Sequence, residues 1–183
     1  MNNVYVFFAE GFEEIEALAP VDLMKRAGIP VKTVSISENK TVYGSHNLAT
    51  ITDLTLNEVD FGEAAMLVLP GGPGHKKLEA CDKLMRELDA FAKEKKPIAA
   101  ICASPSIFGR RGYLEGKKAT AFPGFEGELK GAIVSEEEAV IDGNIITGRG
   151  MGCSIPFGLK IVEFFTDCQT ARELAKKVVY LHE

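Results

Sequence analysis

A cysteine follows a short apolar run, Ile98-Ala-Ala-Ile101-Cys102, and the next residues, Ala103-Ser104-Pro105-Ser106, read as a helix start. A side chain at such a strand-to-helix turn is pushed out of the sheet. Amide N–H groups of the first helical turn have no intrahelical partner and point toward it. Their positive end favours thiolate over thiol, so the expected chemistry is that of a nucleophilic sulfur. Pro105 suits the first helical turn, where a missing N–H costs nothing. The competing reading of Cys102 is a buried, inert structural cysteine, as free thiols usually are.

Three glutamates, Glu13, Glu14 and Glu16, open an earlier amphipathic stretch. For Glu13 and Glu14, favourable charge against the helix dipole is a sufficient account. Glu16 differs, because Ile15, Ala17 and Leu18 surround it and would carry its side chain toward the interior edge of the sheet. A carboxyl desolvated there keeps its proton to higher pH and can donate to a thiolate. Pro70-Gly71-Gly72, after another apolar run, offers backbone N–H groups with no side chains in the way. Alone it is a tight turn; beside a nucleophile it becomes an oxyanion hole, with the Ala103 amide as a further donor. Gly71-Gly72-Pro73-Gly74 has neither dinucleotide-fingerprint nor phosphate-loop spacing. His75, on the glycine turn, could approach the cysteine, although an exposed helix-start histidine is the default. His46 is a candidate for a pocket mouth, and His182 is expected to face solvent. Without well-placed histidine or cysteine pairs, a metal site is not expected.

The elements that must position these groups alternate along the chain. Strands are predicted at Val4–Ala9, Pro30–Ser37, Ala65–Leu69, Ile98–Ile101 and Lys118–Phe122, with weak β signals over Thr41–Thr50. A hairpin is predicted over Ala139–Thr147, turning at Asp142-Gly143-Asn144. Helices are predicted at Glu14–Ala27, closing at Gly28, and at Leu78–Glu94, Ser104–Arg110, Ser154–Phe165 and Ala171–Leu181. Uniformly apolar strands, each followed by a helix, imply a parallel sheet covered on both faces: a doubly wound α/β sandwich in one domain spanning residues 1–183. Its site belongs at the carboxyl ends of the strands, where Glu10–Glu16, Gly71–Gly74 and Cys102-Ala103 fall together.

The 183 residues carry a formal charge of −5, which argues against nucleic acid as a stable partner. The cation-rich stretches Lys93–Lys96 and Lys117-Lys118 are short and read as solvated surface. Cys81, Cys102, Cys153 and Cys168 show no C-x-x-C spacing, and no run is apolar and long enough to span a bilayer. The first residues run straight into a strand with no leader pattern, so reducing cytoplasm is the expected setting.

Four segments, Glu10-Gly-Phe-Glu-Glu-Ile-Glu16 through Asp22, Leu67-Val-Leu-Pro-Gly-Gly72, Ala99-Ala-Ile-Cys-Ala103 and Thr147-Gly-Arg-Gly150, together resemble the ThiJ/PfpI superfamily. Within it they are most similar to the deglycase branch. The likeness covers essentially the whole chain in register. It implies a flavodoxin-like fold, a homodimer and a cofactor-free reactive cysteine. Carried across residue by residue, Cys102 is the nucleophilic, oxidation-sensitive cysteine and Glu16 the buried protonated partner. Gly71, Gly72 and Ala103 supply the oxyanion-stabilising backbone, and Arg26 lies near the partner's site. Arg149 falls in the fourth segment, on the pocket side.

The implied activity is removal of glyoxal and methylglyoxal adducts from proteins and nucleotides with release of hydroxy acids, and a related glyoxalase reaction. Three positions depart from the superfamily pattern. Phe122 stands where several relatives carry a histidine, which counts against peptidase and amidotransferase readings, for which only His75 could supply the base; a bacterial part of the deglycase branch also has phenylalanine there, so the deglycase expectation stands. Gly150-Met151-Gly152-Cys153 replaces Gly-Pro-Gly-Thr on a pocket wall, and the Gly71–His75 turn is shorter than in some relatives. The alternative from a different class is an oxidative-stress sensor or redox-regulated chaperone, using the same sulfur oxidised to sulfinate.

Overall fold

Alternating burial in the central strand organises the molecule. The computed structural model describes residues 2–180. Strand β1 (Asn3–Phe8) sends Val4, Val6 and Phe8 into one apolar cluster and Tyr5 and Phe7 into another, as a period of two requires. In chain order there follow α1 (Glu14–Arg26), β2 (Val31–Ser35), β3 (Thr41–Tyr43), β4 (Ala49–Ile51), β5 (Leu54–Thr55) and β6 (Ala64–Leu69). Next come α2 (His75–Glu79), α3 (Asp82–Lys93), β7 (Ile98–Ile101), α4 (Pro105–Arg110), β8 (Lys118–Ala119) and β9 (Ile133–Val134). The antiparallel pair β10 (Ala139–Asp142) and β11 (Ile145–Gly148), then α5 (Ser154–Phe165) and α6 (Cys168–Lys177), complete the described elements.

The main sheet has seven strands in the order β10-β11-β7-β6-β1-β2-β5, parallel throughout except for β10. This is the flavodoxin-like arrangement, extended by a hairpin at one edge and a two-residue strand at the other. On one face, Ala17, Leu23 and Met24 of α1, Phe157 and Ile161 of α5 and Leu174 of α6 pack on the sheet. On the other, Leu84, Leu88 and Phe91 of α3 meet Ile107 and Phe108 of α4 over Phe7, Leu67 and Leu69. Each fully buried Leu or Phe side chain contributes roughly 1.5–3 kcal/mol of hydrophobic stabilisation. Among the described residues, no helix is long and apolar enough to cross a membrane.

Several boundaries differ from those predicted. The helix expected over Leu78–Glu94 is two helices, because Cys81 adopts an extended conformation that caps α3. Its carbonyl accepts from Met85 N–H, so the backbone break starts a new axis for the Leu84–Phe91 apolar stripe. Weak β signals over Thr41–Thr50 resolve into the β3–β4 hairpin. The strand expected over Lys118–Phe122 stops at Ala119, because the amide of Thr120 is taken by Thr147 Oγ1 and that of Phe122 by the Cys102 carbonyl. Helix α6 starts earlier than expected, at Cys168, where Asp167 accepts from Thr170 N–H at 2.8 Å. It ends at Lys177, before the left-handed Val179; Leu181 and His182 lie outside the described residues.

Helices α1 and α5 cross at Gly158, where a Cβ would stand 2.6 Å from Leu23 Cδ1 and 3.0 Å from Pro20 Cα. Overpacking of this kind costs about 1–3 kcal/mol. Gly158→Val is therefore expected to lower stability by that amount in urea unfolding; an unchanged midpoint would contradict the close crossing.

Candidate active site

Three strand ends converge on one sulfur. Cys102 closes β7 with φ at +65°, a left-handed conformation that non-glycine residues rarely adopt. Hydrogen bonds hold it there from both sides: its N–H donates to the Gly148 carbonyl at 2.9 Å, and its carbonyl accepts from Phe122 N–H at 2.8 Å. This is the elbow expected from the sequence. Beyond it, Ser104 Oγ donates to the Pro70 carbonyl at 2.5 Å, tying the elbow to the glycine turn after β6.

Glu16, one turn into α1, is only 1% exposed. Its Oε2 accepts from Gly71 N–H at 3.1 Å, while Oε1 is buried with no hydrogen-bond partner. Pro20 cannot give the hydrogen bond that residue 20 would make to the Glu16 carbonyl, which loosens the helix at this turn. Gly71 is a steric requirement of the pair. A Cβ there would lie 2.5 Å from both Cys102 Cβ and Glu16 Oε2, so the two side chains flank one small volume that only glycine leaves open. Gly72 has φ at +79°, and a Cβ on it would stand 2.6 Å from Glu13 N.

Burial pushes the Glu16 carboxyl up to about 7, with the Glu13 charge adding to the rise; the bonds to Cys102 and Gly71 oppose it. Burial also pushes the Cys102 thiol up, to about 12, reinforced by the charge and hydrogen bond of Glu16, and the Gly72 and Ala103 amides pull it down. This corrects the expectation that a helix start alone would make a low-pKa thiol. Helix α4 has six residues, and desolvation outweighs its pull. The two groups act as a unit that takes on a single negative charge near neutrality and resists a second.

The other expected residues are distributed more widely. Gly71 spends its N–H on Glu16, which leaves Gly72 and Ala103 as the amides acting on the sulfur. His75 is buried, and its Nδ1 donates to the Gly72 carbonyl at 2.8 Å with Phe125 edge-on, so it is neither exposed nor directed at the cysteine by these contacts. His46 is exposed and pairs with Glu14 at 2.9 Å. Glu14 is buried, beyond the helix-dipole role expected of it: burial raises its pKa, but hydrogen bonds from His46 and Ser45 prevail and hold it at about 2. The Glu14 carboxylate occupies the space beside Gly44, where a Cβ would lie 2.2 Å from Oε1.

Glu13, Glu14 and His46 place ligand-type atoms within 4.8 Å of one another, and hydrogen bonds from Ser45 Oγ to both glutamates and from His46 to Glu14 account for the arrangement. Arg26, at the far end of α1, pairs with Asp22 at 2.6 Å and does not join Cys102 within this chain. Phe122 and Arg149 line a cavity of about 300 Å³ together with Met151 and Cys153. A roomier cavity of about 500 Å³ lies at the opposite strand ends, among Asp89, Lys93, Tyr113 and Asn144, away from the nucleophile.

A strained cysteine on the elbow of a flavodoxin-like sheet, with a buried glutamate against it, defines a class of α/β proteins built around one thiol. Residues 2–164 match the DJ-1/PfpI family, and the chain belongs to that family. It is 38% identical over 176 residues to protein DJ-1 homolog B of Arabidopsis thaliana, covering 95% of this chain and 40% of that protein. The chain thus spans less than half the length of this relative. It is 34% identical over 149 residues to a deglycase of Pyrococcus horikoshii, covering 80% of this chain and 89% of that one. Among solved structures, oxidized Toxoplasma gondii DJ-1 superposes with a TM-score of 0.93 at 29% identity over all of both chains. Drosophila melanogaster DJ-1beta gives 0.89 at 30% identity over 97% of each.

Two outcomes follow from this geometry. Gly71→Ala is expected to force Cys102 and Glu16 apart and slow alkylation of Cys102 at least about tenfold while circular dichroism stays native, since close-packed sites yield little to an added methyl. A carboxyl whose folded pKa is raised loses stability as pH climbs from its unfolded value of 4.5 to about 7. The stability of the wild-type protein should fall over that window relative to Glu16→Gln and run parallel above it, as read by urea unfolding at a series of pH values.

Proposed function

We propose that the protein is a cysteine-dependent hydrolase of α-oxoaldehyde adducts, the hemiaminals that glyoxal and methylglyoxal form with amines of proteins and nucleotides. The observation that carries this reading is the pairing of buried Glu16 with half-buried Cys102, with the Gly72 and Ala103 amides acting on the sulfur. The deglycase name of the Pyrococcus horikoshii relative supports it. Near neutrality the pair's one negative charge moves to sulfur when Glu16 keeps the proton.

The thiolate displaces the amine at the aldehyde-derived carbon, C–S forming as C–N breaks, and the amine leaves with a proton from Glu16. Glu16 then moves the proton of that carbon to the neighbouring carbonyl carbon through an enediol, giving a hydroxyacyl thioester. The two amides stabilise the oxyanion of the enediolate and of the tetrahedral intermediate formed when water attacks the thioester. Water cleaves the thioester, so adduct and water become free amine and a 2-hydroxy acid, lactate from methylglyoxal. The redox change is internal to the substrate, and no cofactor takes part. The same sequence applied to the free aldehyde is a glyoxalase reaction.

Cys102→Ser is expected to abolish hydroxy-acid release from a methylglyoxal-treated peptide, and Glu16→Gln to slow it about a hundredfold, the scale of a lost general acid–base group. Alkylation of Cys102 should rise through a pH near 7 in the wild type and only at alkaline pH in Glu16→Gln. Full turnover in both variants would end this reading.

A second role of the same sulfur, as a peroxide sensor, is supported by the oxidized form in which the Toxoplasma relative was solved. Selective gain of two oxygens at Cys102 without measurable hydrolysis would favour that role.

We also infer a homodimer built on α1. Ile15 and Leu18 of that helix stand largely exposed, as do Leu48 and Ile51 of the β3–β4 hairpin, which the Phe12–Gly44 bridge fastens beside its start. Leu18→Asp is expected to shift sedimentation to the monomer; an unchanged sedimentation coefficient would reject this face.

A further inference from the structure

The chemistry above leaves unused the cavity walled by Phe122 and Pro123 on one side and Arg149–Cys153 on the other. Both walls are fastened to the nucleophile's own backbone. Phe122 N–H donates to the Cys102 carbonyl, and Cys102 N–H donates to Gly148, immediately ahead of the second wall. The cavity is therefore built on the elbow's own backbone, next to the residues that hold Cys102 in place.

The lining is apolar. Phe122 is 45% exposed and Met151 49% exposed, two large hydrophobic side chains kept in water at the rim. Gly150 makes room for the aromatic ring: a Cβ there would stand 3.0 Å from Phe122 Cδ2. Arg149, the one charged residue of the lining, has its guanidinium NH1 committed to the Glu136 carbonyl at 2.9 Å. No carboxylate lines the cavity, and its volume of about 300 Å³ reaches the lower range of small-molecule sites. Methylglyoxal's single methyl group would leave most of it empty.

We propose that this cavity is a specificity subsite for an apolar, ring-sized substituent on the α-oxoaldehyde, so that aryl-substituted α-oxoaldehydes and their adducts are preferred over methylglyoxal. The ring packs against the face of Phe122, and the unbranched Met151 thioether closes over it. Phe122 thus serves as an aromatic wall for the substrate. The inference rests on the α-oxoaldehyde reading of Cys102, and the experiment separates the two.

The first measurement is kcat/KM for phenylglyoxal and methylglyoxal in the wild type, Phe122→Ser and Met151→Asp. The second is the rate of Cys102 alkylation by N-phenylmaleimide and N-ethylmaleimide, each divided by its rate with free cysteine. The second needs only a reactive thiol and no turnover. The aryl-to-alkyl ratio is expected to be at least about tenfold higher in the wild type than in either variant, the discrimination that small differences in apolar contact provide. Loss of the ratio in alkylation, with neither aldehyde turned over by the wild type, keeps the subsite and sinks the hydrolase reading. Ratios that match between wild type and variants in both assays overturn the subsite.

Discussion

A buried carboxyl set against a half-buried thiol across one glycine is the constraint around which this molecule is built. Neither group is tolerable alone at its depth. A lone Glu16 carboxylate would lack solvation, and the Cys102 thiol is pushed far above its ordinary range. Placed together, they allow one negative charge that can sit on oxygen or on sulfur, with backbone amides waiting at both ends: Gly71 at Glu16, and Gly72 and Ala103 at Cys102. In the proposed chemistry, reactivity comes from the arrangement of donors and not from an intrinsically acidic sulfur.

The fold serves that arrangement by bringing three adjacent strands, β1, β6 and β7, to a common edge in parallel register. Each contributes one part: β1 leads to Glu16 through α1, β6 ends in the glycine turn, and β7 ends in the elbow. Small residues make the convergence possible. Ala99 and Ala100 are fully buried in β7, and Gly71 and Gly72 permit contacts that any side chain would block. The strained Cys102 backbone is held by bonds to β11 and to the segment after β8, so the outer part of the sheet stabilises the elbow as well as extending the core.

Much of this was legible in the sequence because it rests on local signals. Apolar strand runs, glycine-proline punctuation and a cysteine before Ala-Ser-Pro specified a parallel sheet, the turn and the elbow, and Glu16 stood out as an acid among apolar neighbours. What stayed hidden depended on contacts between distant segments. The burial of Glu14 arises from the β3–β4 hairpin folding over it, thirty residues away in sequence and invisible to any local pattern. His75 is sequestered by a carbonyl and by Phe125, which lies in a later loop. The break at Cys81 replaced an uninterrupted helical period because an extended backbone cap, and not a proline or glycine, interrupts it. The depth of the sulfur was the costliest omission, since the local pattern showed the helix start but not the desolvation opposing it.

The hydrogen bond from Glu13 N–H to the Gly71 carbonyl, 3.1 Å long, has a consequence for the opposite end of the same amide. That carbonyl and the Gly72 N–H belong to one rigid peptide plane. A plane between two glycines is otherwise free to rotate by half a turn, which would swing the donor away from the sulfur and present an oxygen in its place. By pinning the carbonyl, the first turn of α1 fixes the polarity of the anion cradle, so the helix that delivers the acid also keeps the amide facing the correct way.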